Sequence, residues 1–184
     1  SGLRIFDASG DLLYSSDQGN APQIKVVDRD YFRMLREKPQ LGPVFSEVII
    51  SRATERPSLI VARALQDDHG AFLGIVTAVL DLARYQEIFR ALDLGGTGSI
   101  VLRRSDDQRL VVRWPHIASE VNQPLKPQHP VRQRMSSGET AATLQFAAQS
   151  DGIERIYSFH RLQRYPFYFI IGVSRDDVLA GWRT

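Results

Sequence analysis

The 184 residues carry a net charge of +2 and a 43% hydrophobic content, enough for a real core, so wholesale disorder is excluded. There are no cysteines, which excludes disulfides and thiolate metal sites. No long Lys/Arg run marks a nucleic-acid surface, and the longest apolar run, Phe72–Leu80, is too short to span a bilayer.

Leu3–Phe6, the turn Asp7-Ala8-Ser9-Gly10-Asp11 and Leu12–Tyr14 read as strand, turn, strand. A polar loop with Gly19, Asn20 and Pro22 follows. Val27–Leu35 then opens a helix, with Asp28 as its expected N-cap and Phe32 and Leu35 sharing an apolar face. Arg29 and Tyr31 stand near the helix start. A guanidinium there suits a carboxylate or phosphate, because its planar donors match two oxygens at once. The plainer alternative is a capped surface helix with Arg29 paired to Asp28, Asp30 or Glu47. Pro39 ends the helix.

Val44–Ile50 reads as a strand, followed by the charged loop Ser51–Pro57. Ser58–Leu65 is a second strand, Asp67-Asp68-His69-Gly70 a hairpin turn, and Ala71–Asp81 a third strand. Gly74 inside that strand predicts a bulge or a close backbone approach. Apolar residues at Leu82, Tyr85, Ile88, Phe89 and Leu92 recur every three or four positions, the pattern of an amphipathic helix.

The order then repeats. Ser99–Arg103, the turn Ser105–Gln108 and Arg109–Trp114 echo the opening hairpin. A proline-bearing stretch and a short helix near Val131–Met135 precede the strands Ala141–Ala148, Glu154–His160 and Phe167–Ser174. Asp176 is expected to cap a closing helix, Asp177–Trp182. Both halves read as strand, turn, strand, helix and three hairpin-joined strands, an internal duplication of architecture. The fold class this predicts is α+β, two tandem antiparallel sheets with flanking helices, joined by the helix at 82–94. The space under a helical cover is where a small molecule would sit.

No catalytic constellation stands out. His69, His116, His129 and His160 show no metal-ligand spacing. Gly95-Gly96-Thr97-Gly98 lacks the lysine and following helix of a phosphate loop. Asp106-Asp107 reads as a turn pair, and no nucleophile has a base placed beside it. No enzyme, cofactor or metal is expected.

Several stretches in family order resemble the double Cache (double PDC) sensor domains, whose halves are PAS-like. They include Asp28-Arg29-Asp30-Tyr31-Phe32, Ile60–Leu65, Phe72–Val76, Val79–Leu82, Leu94–Leu102, Arg113-Trp114-Pro115, Tyr165-Pro166 and Ala180-Gly181-Trp182. The resemblance is nearest to members on membrane-bound diguanylate cyclases and histidine kinases. It implies an extracytoplasmic (periplasmic) sensing region of an inner-membrane receptor, with residues 1–82 membrane-distal and ligand-holding and residues 83–184 membrane-proximal. In the family a long helix precedes the first strand, so the chain is expected to be a piece of a longer protein.

Some family members hold an amino acid through an Arg-x-Trp-Tyr cluster, the Arg on the carboxylate, and an Asp after the last distal strand on the ammonium. Arg29 matches the Arg, Tyr31 and Phe32 the aromatic places, and Asp81 the Asp. The departures are a tyrosine for the tryptophan, a Phe32 without a hydroxyl, and Ile24 where those members carry a tyrosine. The resemblance therefore implies a small anionic ligand, a carboxylate more firmly than an α-amino acid. Arg63 is a second anion contact or a surface residue of its strand; Asp81 is a ligand contact or a helix cap. The rival to a sensor is a ligand-free structural or homodimerisation module that answers to a protein partner.

Overall fold

The computed structural model describes residues 2–16, 23–174 and 177. The loop with Gly19, Asn20 and Pro22 and the closing helix expected after Asp176 lie outside the described residues. The chain divides into two compact units, residues 1–83 and 84–184.

The first unit holds β1 (Leu3–Asp7), β2 (Leu12–Ser15), α1 (Asp30–Glu37), β3 (Val44–Ile50), β4 (Pro57–Gln66) and β5 (Phe72–Asp81). Its sheet is antiparallel, in the order β2-β1-β5-β4-β3. The amphipathic α1 lays Tyr31, Phe32 and Leu35 onto β3, β4 and β5. They complete a core with Phe6, Ile24, Val26, Ile60, Ala62, Ile75 and Val79. Burying side chains of this size is the main stabilising term, about 1.5–3 kcal/mol each.

Gly74 has a structural reason. With φ +145, its added Cβ would lie 2.0 Å from the Phe6 carbonyl oxygen, so β1 and β5 pair only because no side chain stands there.

The helix α2 (Leu82–Ala91) crosses the division between the units. The second unit repeats the plan with β6 (Ser99–Arg104), β7 (Leu110–Trp114), α3 (Pro130–Ser136), β8 (Ala141–Ala147), β9 (Glu154–Arg161) and β10 (Phe167–Ser174). Its sheet order, β7-β6-β10-β9-β8, is that of the first unit carried over strand for strand. Here α3 packs on β8, and Phe89 of α2 meets Phe169 of β10 edge to face at 6.2 Å. The fold is thus α+β with two antiparallel sheets, as the strand and helix periods predicted, and PAS-like, as the family resemblance implied. Among the described residues no helix is long and apolar enough to cross a membrane.

One local expectation is corrected. The N-cap of α1 is Arg29, in extended backbone and with no side-chain cap hydrogen bond; it is not Asp28. The Asp28 carboxylate is drawn away by Arg52, which donates to both its oxygens at 2.8 and 2.7 Å. A charge-assisted fork outcompetes a neutral backbone donor.

Candidate functional site

Each sheet carries a pocket between its inner face and the segment leading into its helix. In the first unit the strands contribute Arg4 and Phe6 (β1), Thr77 and Val79 (β5), Ile60 (β4) and Ile49 (β3). They line it because strand residues two apart share a face. The segment entering α1 adds Ile24, Val26, Arg29 and Tyr31, and the loop after β3 adds Ser51 and Arg52. The pocket encloses about 30 Å³, the share of one water in the liquid.

Its walls are apolar and its charges are guanidinium groups. Arg29 donates from Nη2 to the Ile50 carbonyl at 3.3 Å, and among the described residues no carboxylate lies within ion-pair distance of it. The expected partners are engaged elsewhere: Asp30 binds Arg33, and Asp28 binds Arg52. Arg52 also donates to the Lys25 carbonyl, tying its loop to the segment before α1. Arg4 is 4% exposed. Burial raises the Tyr31 phenol above its usual range and keeps it a protonated donor.

The residues singled out from the sequence are therefore split. Arg29 and Tyr31 come together in the pocket. Phe32 does not line it: at 0% exposure it packs edge to face on Phe72 at 5.7 Å, one helical step round from Tyr31 and so inside the core. Arg63 is exposed on the opposite face of β4 from Ile60 and Ala62, beside Pro39–Gly42 and Val76. Asp81 accepts from Arg56 at 3.3 Å and from the Ala83 backbone N–H at 3.0 Å, the geometry of a cap at the start of α2. Arg4 and Arg52 were missed. Arg4 had a signal, since it alternates with Phe6 on the inward face of β1; Arg52 had none beyond a charged loop.

The second unit holds a larger cleft of about 220 Å³. Period two along β6 puts Ser99, Val101 and Arg103 on its floor, with Arg113 from β7, Arg155 and Tyr157 from β9, and Ile170 from β10. The segment from Glu120 to His129 forms the opposite wall. His129 caps α3: its Nδ1 accepts from the Val131 N–H at 3.3 Å. Burial, then the Arg103 charge, holds its pKa down at about 4, so at neutral pH the ring is uncharged and carries its proton on Nε2. Among the described residues no cluster of His, Asp or Glu is arranged to hold a metal ion.

Two five-stranded sheets of one strand order, each with an arginine-lined pocket on its helical side, define a tandem PAS-like module. The chain belongs to the Cache domain family, whose model matches residues 1–182. Among solved structures, the extracellular domain of rpHK1S-Z16, named as a histidine kinase, is 28% identical with a TM-score of 0.80. That match covers 98% of this chain and 73% of the other. The ligand-binding domain of the Pseudomonas fluorescens chemoreceptor CtaA, in complex with L-alanine, is 21% identical (TM-score 0.67), covering 97% of this chain and 74% of that one. That of the Pseudomonas aeruginosa PAO1 chemoreceptor PctB, in complex with L-Gln, is 20% identical (TM-score 0.67; 98% and 70% covered). No curated protein matches the sequence.

Proposed function

We propose that the chain is the extracytoplasmic, periplasmic sensing region of a membrane-bound receptor of the histidine kinase or diguanylate cyclase type. Residues 1–82 form the membrane-distal half and bind a small anionic metabolite, a carboxylate or an amino acid. Residues 83–184 form the membrane-proximal half and pass the change on. The chain is a sensor and not an enzyme.

The observation that carries this reading is Arg29, a guanidinium lining the first pocket whose acceptor among the described residues is a neutral carbonyl, that of Ile50. A ligand carboxylate completes its fork, Tyr31 donates beside it, and Phe6, Ile24 and Val79 receive the apolar remainder. A metabolite larger than water enters only if the Ser51–Arg56 loop separates from the segment before α1. Arg52 is the tie that must loosen, exchanging Asp28 for the ligand's carboxylate. Ligand binding and loop displacement are then one event, and the ligand drives it by preferring the opened arrangement. Amino-acid ligands named for CtaA and PctB support the same chemical class.

The test is a thermal-shift screen of residues 1–184 against small carboxylates and amino acids, with Arg29→Ala alongside. A ligand at 100 times its dissociation constant stabilises by about 2.7 kcal/mol, and Arg29→Ala abolishes the shift. A folded chain with no hit, self-associating or captured by a protein partner, favours instead a ligand-free dimerisation module.

A further inference from the structure

The second unit's cleft has more positive charge than its own side chains neutralise. Arg103, Arg113 and Arg155 are each 7% exposed or less, yet all three line the cleft, with Lys126 exposed at its rim. A buried cation is costly unless a partner compensates it.

The three guanidiniums are compensated unequally. Arg155 is a fastener: Asp151 takes two of its N–H groups at 3.0 and 2.7 Å, the Thr97 carbonyl a third at 2.7 Å, and the Tyr157 hydroxyl accepts at 3.2 Å. Arg113 shares one nitrogen with Glu120, while its Nε is buried with no acceptor among the described residues. Among the described residues Arg103 has no carboxylate within ion-pair distance; its Nη1 donates to the carbonyls of Gln108 and Gln123 at 3.0 and 2.9 Å. Those contacts hold Arg103 in place without cancelling its charge.

The same sheet adds an aromatic side, Phe146 on β8 and Tyr157 on β9, which the His129 ring meets from the opposite wall. Phe146 stacks on Tyr157 at 4.2 Å, and His129 meets Phe146 edge to face at 5.2 Å. The cleft's 220 Å³ is about seven water volumes, the size of a small organic acid.

We propose that this cleft is a second ligand site, for a small organic carboxylate bound by Arg103 and Arg113, with its apolar part on Phe146 and Tyr157 and Lys126 at the entrance. The neutral His129 caps its helix and leaves Nε2–H as a further donor. Residues 84–184 are then a sensor in their own right, and the site stands whether or not the first pocket binds.

The experiment is a heteronuclear NMR titration of residues 1–184 with acetate, succinate, benzoate and inorganic phosphate, each to millimolar concentration. Saturable shifts are expected at the Arg103 and Arg113 side-chain Nε–H groups and the backbone amides of Gln123, Leu125, Lys126 and His129, with benzoate or succinate tighter than acetate. Arg29→Ala leaves these shifts unchanged, which separates this site from the first pocket. Arg103→Gln weakens binding by about tenfold or more. Because Arg103 is buried, Lys126→Ala is the second variant; its residue is exposed, the fold is retained, and affinity falls a few-fold with a weaker salt dependence. The proposal is overturned if no carboxylate shifts these residues, if phosphate alone does, or if every shift maps to the first pocket.

Discussion

Arg52 and Asp28 form a two-point fork, Nη1 to Oδ1 at 2.8 Å and Nη2 to Oδ2 at 2.7 Å, joining the loop after β3 to the segment before α1. Their side chains are 41% and 59% exposed, so solvent screens the pair and it is worth about 1 kcal/mol or less. Arg52→Ala should lower the melting temperature only slightly while changing ligand affinity in the first pocket. The Arg52 hydrogen bonds hold the Asp28 carboxyl at about 2, below its usual 3.8. The pair's contribution is present above pH 3.8 and lost as pH falls toward 2; the Asp28→Asn variant should not show that loss in acid melts.

Phe32 belongs to the core. It is fully buried against Phe72 and Leu35, so Phe32→Ala leaves a cavity and should cost about 3–5 kcal/mol in urea unfolding. A Phe32→Ala chain that unfolds at the wild-type urea midpoint would contradict this placement.

Gly74→Ala should destabilise more than its single methyl suggests. The added Cβ meets the Phe6 carbonyl at 2.0 Å, in a backbone conformation that side chains avoid, at a cost of roughly 1–3 kcal/mol or more. Hydrogen exchange should show the loss first in the β1–β5 ladder, at amides such as Ile5 and Val76.

His129 makes stability depend on pH. Its folded pKa, about 4, lies below the ordinary 6.5, because burial and Arg103 penalise the charged ring. Above pH 6.5 both folded and unfolded chains hold it neutral. Between 6.5 and about 4 the unfolded chain takes up a proton that the folded chain refuses, so stability falls as pH falls through that window. His129→Asn keeps a capping side chain and should flatten that part of the stability curve. An NMR titration of the His129 ring should show a midpoint near 4, and a midpoint near 6.5 would refute the assignment.

The fold was largely legible because its elements answer to local rules. Val44–Ile50 and Phe167–Ser174 are rich in β-branched and aromatic residues and form strands as read, and α2 begins at Leu82 where the helical spacing begins. Gly74 was marked as a bulge or a close approach before any partner was known, since those are what a glycine inside a strand most often signals.

The pockets were legible only in part. Arg29 and Tyr31 lie on one short segment, so proximity in sequence brought them together. Phe32, beside them, turns the other way because successive helical residues are 100° apart, and an aromatic at that spacing reads the same from either side. In the second unit, Arg113 sits inside the apolar run Leu110–Trp114, a charge where a strand should be buried, and that was a signal left unread.

What the sequence determined by itself is periodicity: among the described residues, the ten strands and three α-helices, their order, and the repeat of one plan in two halves. What only the tertiary structure decided is which charges meet. Asp28 could cap α1 or bind an arginine, and the choice fell to Arg52, far along the chain, because a fork of two charge-assisted bonds is stronger than a cap. Arg103, Arg113 and Arg155 come from three strands, and no local rule assembles them. Their neighbours are set by strand order and register, which depend on the whole sheet.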